Sequence, residues 1–376
     1  MPGFEWIDDK ELKAVKKIFK EGGILIAHGF EKIRKKFYVR NFEKNSQVFF
    51  NSKYCLAVSS GTAALKIALK SVGIKPGDEV ITQSFNFIAT VEAILDCGAI
   101  PVIANIDDTL NIDPEEIPKL ITKKTKAIIP VHMLGVSCEM KKILQYSKKF
   151  KIPIIEDNCE AVGGKYNKKF LGTIGDVGVF SFDHGKIITS GEGGMILTDI
   201  NRLGRYVREY HDHGHQNNKL FSRGKDTREI FGFNYRMTEL QGAIANEQLK
   251  KLKQIIISNQ KRFNILKKIL EPHFTIRKVP RNTNGIYDTF ILIQKNSLKR
   301  KKIIEILSKE KFGTKNLPDA MEWHCSYFWN HALPSKQVTR SKKSFNILKN
   351  CIAIPVLKNK DLDQYKKLAN KIVKYK

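Results

Sequence analysis

The chain has 376 residues, 42% of them apolar and 28% charged, which is enough to bury a large core and more than one usual domain length. No apolar run reaches the roughly 18 residues of a membrane helix, and the opening MPGFEWIDDKELKAVKKIFKEGG is charged early without an apolar signal core, so a cytoplasmic protein away from membranes is expected. The formal net charge of +28 brings nucleic acid to mind, but the excess is lysine scattered through stretches such as KKLKQ and SLKRKK; without an arginine-rich arm or interleaved aromatic and basic residues, no nucleic-acid partner is predicted.

From about residue 53 to 200, short β-branched runs (YCLAVSS, DEVITQ, IPVIANI, TKAIIPVHM, KIPIIEDN, GVFSF, GMILTD) alternate with helix-like segments such as GTAALKIALKSVG. This is the pattern of parallel βα units around a sheet buried on both faces. KPGDEV and LGTIGDVG supply turn signals between the units. From Met237 a long amphipathic helix is predicted, opened by Thr238 as its cap and leading to a second domain. Beyond residue 270, strand-like TFILIQ, the helical KKIIEILSKEKFG and a final basic helix indicate a smaller α+β unit. The expected division is a large domain over 1–250 and a small one over 251–376. Six cysteines form no CxxC pair and read as reduced thiols, mostly in the core.

Ligands of open α/β sheets bind at the carboxyl ends of the strands, and four such places carry chemistry. Gly61 and Thr62 open a helix whose free N–H groups suit a phosphate, although a plain Ser-capped helix explains them too. Phe87, in SFNFIAT, can present a ring to a planar ligand or belong to the core. Glu156 and Asp157 end a nearly all-apolar strand, so one of them is expected to meet a positive partner and the other to be solvated. Lys186 follows the strand VGVFSF and precedes the turn GEGG. A lysine with an ordinary pKa of about 10.4 is a poor nucleophile at neutral pH unless its pKa is depressed or it forms an imine with an aldehyde. Phosphate cradle, aromatic plate, buried carboxylate and lysine together meet the needs of pyridoxal phosphate. The alternating His211, His213 and His215 suit a loop and substrate contact better than a metal, so no metal site is predicted.

SSGTAAL, SFNFIAT, EDNCEAVGG, GDVGVFSFDHGKIITSGEGG and GFNYRMTELQGAIA occur in the order seen in the DegT/StrS-type sugar aminotransferases, which the chain resembles over nearly its whole length. These are fold type I pyridoxal-phosphate enzymes, and the resemblance implies a mostly parallel seven-stranded sheet in the large domain. It implies that Lys186 bonds the cofactor and shuttles the proton, and that Asp157 holds the pyridine nitrogen protonated. Gly61, Thr62 and Ser181 would contact the phosphate, Phe87 would stack on the ring, and Glu160 would stand near the cofactor hydroxyl, where Gln or His is also common. Asn234 would reach the phosphate of a neighbouring subunit, which implies a homodimer with shared sites. A related branch carries histidine at the lysine position and dehydrates its substrate, so Lys186 points to transamination from glutamate to a keto-sugar. MPGFEW and NLPDAMEWHCSYFWNH resemble the branch that makes 8-amino-3,8-dideoxy-manno-octulosonate, a lipopolysaccharide sugar acid. By residue type and loop position, His213, His215, Arg223, Arg228, Trp323 and His324 are the substrate-contact candidates. The alternatives are a nucleotide-linked keto-sugar as acceptor, as in perosamine-type enzymes, and a regulatory protein that retains the fold.

Overall fold

The computed structural model describes residues 3–218 and 220–376. Seven strands alternate with helices in the first 200 residues: β1 (Tyr54–Val58), β2 (Glu79–Gln83), β3 (Ile100–Ala104), β4 (Thr125–Ile129), β5 (Ile155–Asp157), then, after the short pair β6 (Lys165–Tyr166) and β7 (Lys169–Phe170), β8 (Val177–Ser181) and β9 (Gly194–Thr198). The ladders β3-β2-β4 and β5-β8-β9-β1 meet where Ile128 bridges Ile154 and Val131 bridges Asp157, both in parallel. The result is one seven-stranded sheet in the order β3-β2-β4-β5-β8-β9-β1, in which β9 runs antiparallel to both neighbours.

Successive side chains of a strand point to opposite faces, and this sheet uses both for core. Leu56, Val58, Val177, Val179 and Ile196 pack into one cluster, whereas Cys55, Ala57, Phe180, Met195 and Leu197 pack into another. Of the helices α1 (Asp9–Lys20), α2 (Tyr38–Phe50) and α3 (Gly61–Ser71), α3 covers the first face with Ala64, Leu65, Ile67 and Ala68. After α4 (Ala89–Asp96), α5 (Ile117–Leu120), α6 (Met140–Phe150) and α7 (Asn201–Tyr210) comes α8 (Glu239–Leu270), whose Leu249, Leu252 and Ile255 cover the second face.

Thr238 caps α8 as expected: its hydroxyl accepts the Gln241 N–H, and the Gln241 side chain returns to the Thr238 N–H at 2.8 Å. The far end of α8 belongs to a different core. Leu266 and Leu270 pack with Phe290, Leu292, Ile352 and Ile354 and with Tyr365 and Leu368 of the C-terminal helix Leu362–Val373. That core includes the antiparallel sheet β10-β12-β13, formed by β10 (Thr275–Ile276), β12 (Thr289–Ile293) and β13 (Cys351–Pro355), while β11 (Thr283–Asn284) joins β6 and β7. Between β12 and β13 the chain returns to the large sheet, where Leu317, Cys325 and Leu348 join its first cluster. This return carries residues 314–324 to the strand ends.

Candidate active site

A cavity of about 590 Å³ opens at the carboxyl ends of β1, β5 and β8. It is lined by Gly61, Thr62, Phe87, Asp157, Glu160, Ser181, Lys186 and His324 among the residues expected from the sequence, and by Thr90, Glu192, Asp288, Thr314, Lys315, Asn316 and Asp319 besides.

The start of α3 lies in close approach to the ends of β8 and β9. Ser60 caps α3 by accepting the Ala63 N–H at 3.1 Å, and the first intrahelical bond is Ala64 N–H to Ser60 O. The N–H groups of Gly61 and Thr62 therefore precede the helical ladder and remain at its positive end. A Cβ on Gly61 would lie 2.8 Å from Ser181 Cβ and 3.3 Å from Cys159 Sγ. Glycine is thus what lets the helix start descend onto the end of β8. Gly194 serves the same approach from β9, since its Cβ would lie 2.2 Å from Ser60 O.

The two carboxylates ending β5 are both buried, Glu156 at 0% and Asp157 at 3% exposure, so the expectation that one is solvated is corrected. Side chains alternate along a strand, and the two point to opposite faces. Glu156 accepts from His132 Nε2 and from the Gly172, Ile174 and Gly175 N–H groups, which settles its charge away from the cavity. Asp157 faces the cavity with two neutral donors, Thr90 Oγ1 at 2.9 Å and the Cys159 N–H at 3.1 Å. The segment TKAIIPVHM could have pointed to His132 as the partner of Glu156, but nothing in a periodic pattern pairs positions 24 apart.

The loop after β8 holds Lys186 in place. Asp183 accepts the Gly185 N–H with its side chain and the Lys186 N–H with its carbonyl, and Phe182 O accepts from Thr189 Oγ1 and the Ser190 N–H. The Lys186 ammonium lies 3.7 Å from Glu160 Oε1. Burial pulls the lysine pKa down, but the facing Glu160, with Cys159, Asp183 and Asp157 nearby, outweighs it and holds it above the ordinary value. Burial pushes Glu160 up, yet Lys186 and Lys315 bring it down to about 2, so it is an anion. Its Oε2 accepts the Leu134 N–H at 3.1 Å and its Oε1 the Asn316 amide at 3.3 Å.

The opposite wall comes from residues without a sequence motif. Lys315 pairs with Asp288 at 2.6 Å, both nearly fully buried. The signal available for Asp288 was an acidic residue directly before the apolar strand TFILI. His324 lines the cavity with Nδ1 2.7 Å from Ala320 O, which makes Nδ1 the protonated nitrogen, and burial lowers its pKa. Phe87 is 43% exposed and stacks with Trp323 at 6.3 Å between ring centroids and 22° between planes. Trp323 stands outside the lining.

Asn234, His213, His215, Arg223 and Arg228 also lie outside the lining of this cavity in the single chain. Charge pairing explains where they went. Arg223 forks onto Asp212 at 2.8 and 2.5 Å, and Arg236 adds a third bond at 2.6 Å. His215 is held between Asp226 at 3.0 Å and Arg228 at 3.2 Å. Asn234 and His213 are exposed.

Residues 7–373 match the model of the DegT/DnrJ/EryC1/StrS aminotransferase family. The chain belongs to that family. It is 40% identical over 225 residues to a GDP-perosamine synthase of Caulobacter vibrioides, an alignment covering 60% of this chain and 59% of that protein. A GDP-perosamine synthase of Escherichia coli O157:H7 is 35% identical over 257 residues, 68% of each chain. Among solved structures, an aminotransferase from Psychrobacter cryohalolentis superposes with a TM-score of 0.82 at 27% identity, covering 97% of this chain and 96% of that one. Among the described residues, no helix is long and apolar enough to cross a membrane.

Proposed function

We propose that this member of the family is a pyridoxal-phosphate-dependent sugar aminotransferase, moving an amino group from glutamate to the carbonyl of a nucleotide-linked keto-sugar. The observation that carries the reading is the single cavity in which Lys186, Asp157 and the Gly61–Ser181 contact converge. The residues fit the cofactor. The N–H groups at the start of α3 and the Ser181 hydroxyl would hold its phosphate, and Asp157, without a cationic partner among the described residues, would hold its ring nitrogen as a cation. Phe87 offers its exposed ring as a plate. Bound there, pyridoxal phosphate supplies an electron sink for negative charge at the carbon that bears the transferred nitrogen. Lys186 would be the residue that bonds the cofactor, and its amine, once free, would move the proton at the carbon that bears the transferred nitrogen. The exposed Asn234 would reach across to the phosphate held by a second copy of the chain, making a homodimer the working unit.

The perosamine synthases among the relatives support a nucleotide-linked acceptor. One observation favours the sugar acid as a second reading: the segment NLPDAMEWH, which carries the octulosonate resemblance, supplies Asn316, Asp319, Ala320 and His324 to the cavity wall. Supplying glutamate with either a panel of nucleotide-linked keto-sugars or 8-oxo-3,8-dideoxy-manno-octulosonate, and following 2-oxoglutarate, separates the two. Turnover with a nucleotide-linked sugar alone supports the first reading; turnover with the octulosonate alone replaces it by the second. No 2-oxoglutarate from any acceptor removes both.

A further inference from the structure

Among the described residues, Glu160 is the carboxylate within ion-pair distance of the Lys186 amine. The other acids around Lys186 are engaged elsewhere: Asp183 with the Gly185 N–H, and Asp157 with Thr90 and the Cys159 N–H. Glu160 is fixed from two sides, by the Leu134 N–H and by the Asn316 amide. The Leu134 peptide is pinned in turn, with φ at 49° and its carbonyl 3.4 Å from Arg277 Nη1. The remaining groups facing Glu160 are Lys315, already paired with Asp288, and His324, whose proton is on the nitrogen bonded to Ala320 O. The Cys159 thiol also lines the cavity, and burial raises its pKa well above the ordinary value.

We propose that Glu160 is a positioning residue that holds Lys186 as an ammonium ion before the cofactor arrives, so that capture of an aldehyde waits on breaking this ion pair. The proposal rests on Lys186 as the cofactor-bonding residue. The step is a condensation. The ammonium first gives one proton to solvent, and the neutral nitrogen then attacks the aldehyde carbon. A C–N double bond replaces C=O, and the oxygen leaves as water. Only the first of these events involves Glu160, and its cost appears as pH dependence. The direction of both pKa shifts agrees with the geometry: lysine up, glutamate down to about 2.

The test uses the full chain stripped of any bound cofactor, with pyridoxal phosphate as the probe. The capture rate is read by absorbance from about pH 6 to about pH 10, and the product is located by borohydride reduction and peptide mass. In the wild type the rate should climb about tenfold per pH unit with no plateau in this range, because the amine pKa lies above about 10.4. Glu160→Gln should level off at least about one unit lower and capture about tenfold faster at pH 7. Pyridoxal without the phosphate should show the same difference, which separates the ion pair from repulsion between Glu160 and the phosphate. A wild-type plateau below about pH 9 overturns the proposal without reference to any variant. So do identical profiles for the two proteins, or a difference seen with the phosphorylated probe alone. Absence of a Lys186 adduct at every pH removes the cofactor assignment and the proposal with it, an outcome distinct from an adduct that forms with an unshifted profile.

Discussion

Replacing Glu156 by glutamine separates the duties of the two adjacent acids at the end of β5. The carboxylate is fully buried and receives four hydrogen bonds: the Ile174 and Gly175 N–H groups at Oε1, both 2.6 Å, and the Gly172 N–H and His132 Nε2 at Oε2, both 3.0 Å. The Cys138 N–H donates to His132 Nδ1 at 3.1 Å, which puts the imidazole proton on Nε2 and makes His132 a donor. A glutamine has one accepting oxygen. Whichever way the amide turns, its NH₂ meets two donors and leaves both unpaired in a dry interior. At about 1.5 kcal/mol for each bond to a charged group, the substitution costs about 3 kcal/mol. In urea, with a slope of about 3 kcal/mol/M, the first unfolding transition should move down by about 1 M, followed by the fluorescence of the buried Trp6 and Trp329. A midpoint within about 0.2 M of wild type would mean that the four donors do not depend on the carboxylate.

Asp157→Asn should behave in the opposite way: its carbonyl can accept the Cys159 N–H and its amide can donate to a rotated Thr90 hydroxyl, so urea stability stays within about 1 kcal/mol of wild type. Turnover should nonetheless fall about a hundredfold for want of charge beside the ring nitrogen, and an unchanged rate would mean that this carboxylate does not serve the cofactor. Gly61→Ala places a methyl 2.8 Å from Ser181 Cβ, so the start of α3 must lift. The expected result is a loss of about 1–3 kcal/mol in stability and weaker cofactor binding in an absorbance titration; unaltered binding would disprove the cradle. Mixing Lys186→Ala with Asn234→Ala protein should restore about a quarter of wild-type activity, since half the dimers formed carry one intact site. No recovery from re-equilibrated dimers would rule out the cross-subunit role.

The strands were legible because each faces core on both sides and therefore reads as an apolar run, and Lys186 stood out because it interrupts such a run at a turn. Helix α8 was legible from its cap, as Thr238 and Gln241 confirm in their reciprocal bonds. Where contacts join distant parts of the chain, the sequence was silent. Nothing local distinguishes Glu156 from Asp157; the distinction lies in the turn at 172–175, which folds back to donate three N–H groups to one of them. The Lys315–Asp288 pair likewise joins positions 27 apart across the cavity wall. Arg223 and His215 looked like free cationic and imidazole groups by composition, but Asp212 and Asp226 already occupy them. Buried acids collect the bases nearest in space, and spacing along the chain does not record that.

Everything proposed for the cavity depends on Lys186 being the residue that links this chain to its cofactor. The direct measurement incubates the full chain with pyridoxal phosphate, reduces it with borohydride, digests it and locates the phosphopyridoxyl mass. One dominant modified peptide is expected, the one containing Lys186, and it should disappear in Lys186→Ala. Modification spread over the many surface lysines, or a dominant adduct at another lysine such as Lys315, would contradict it.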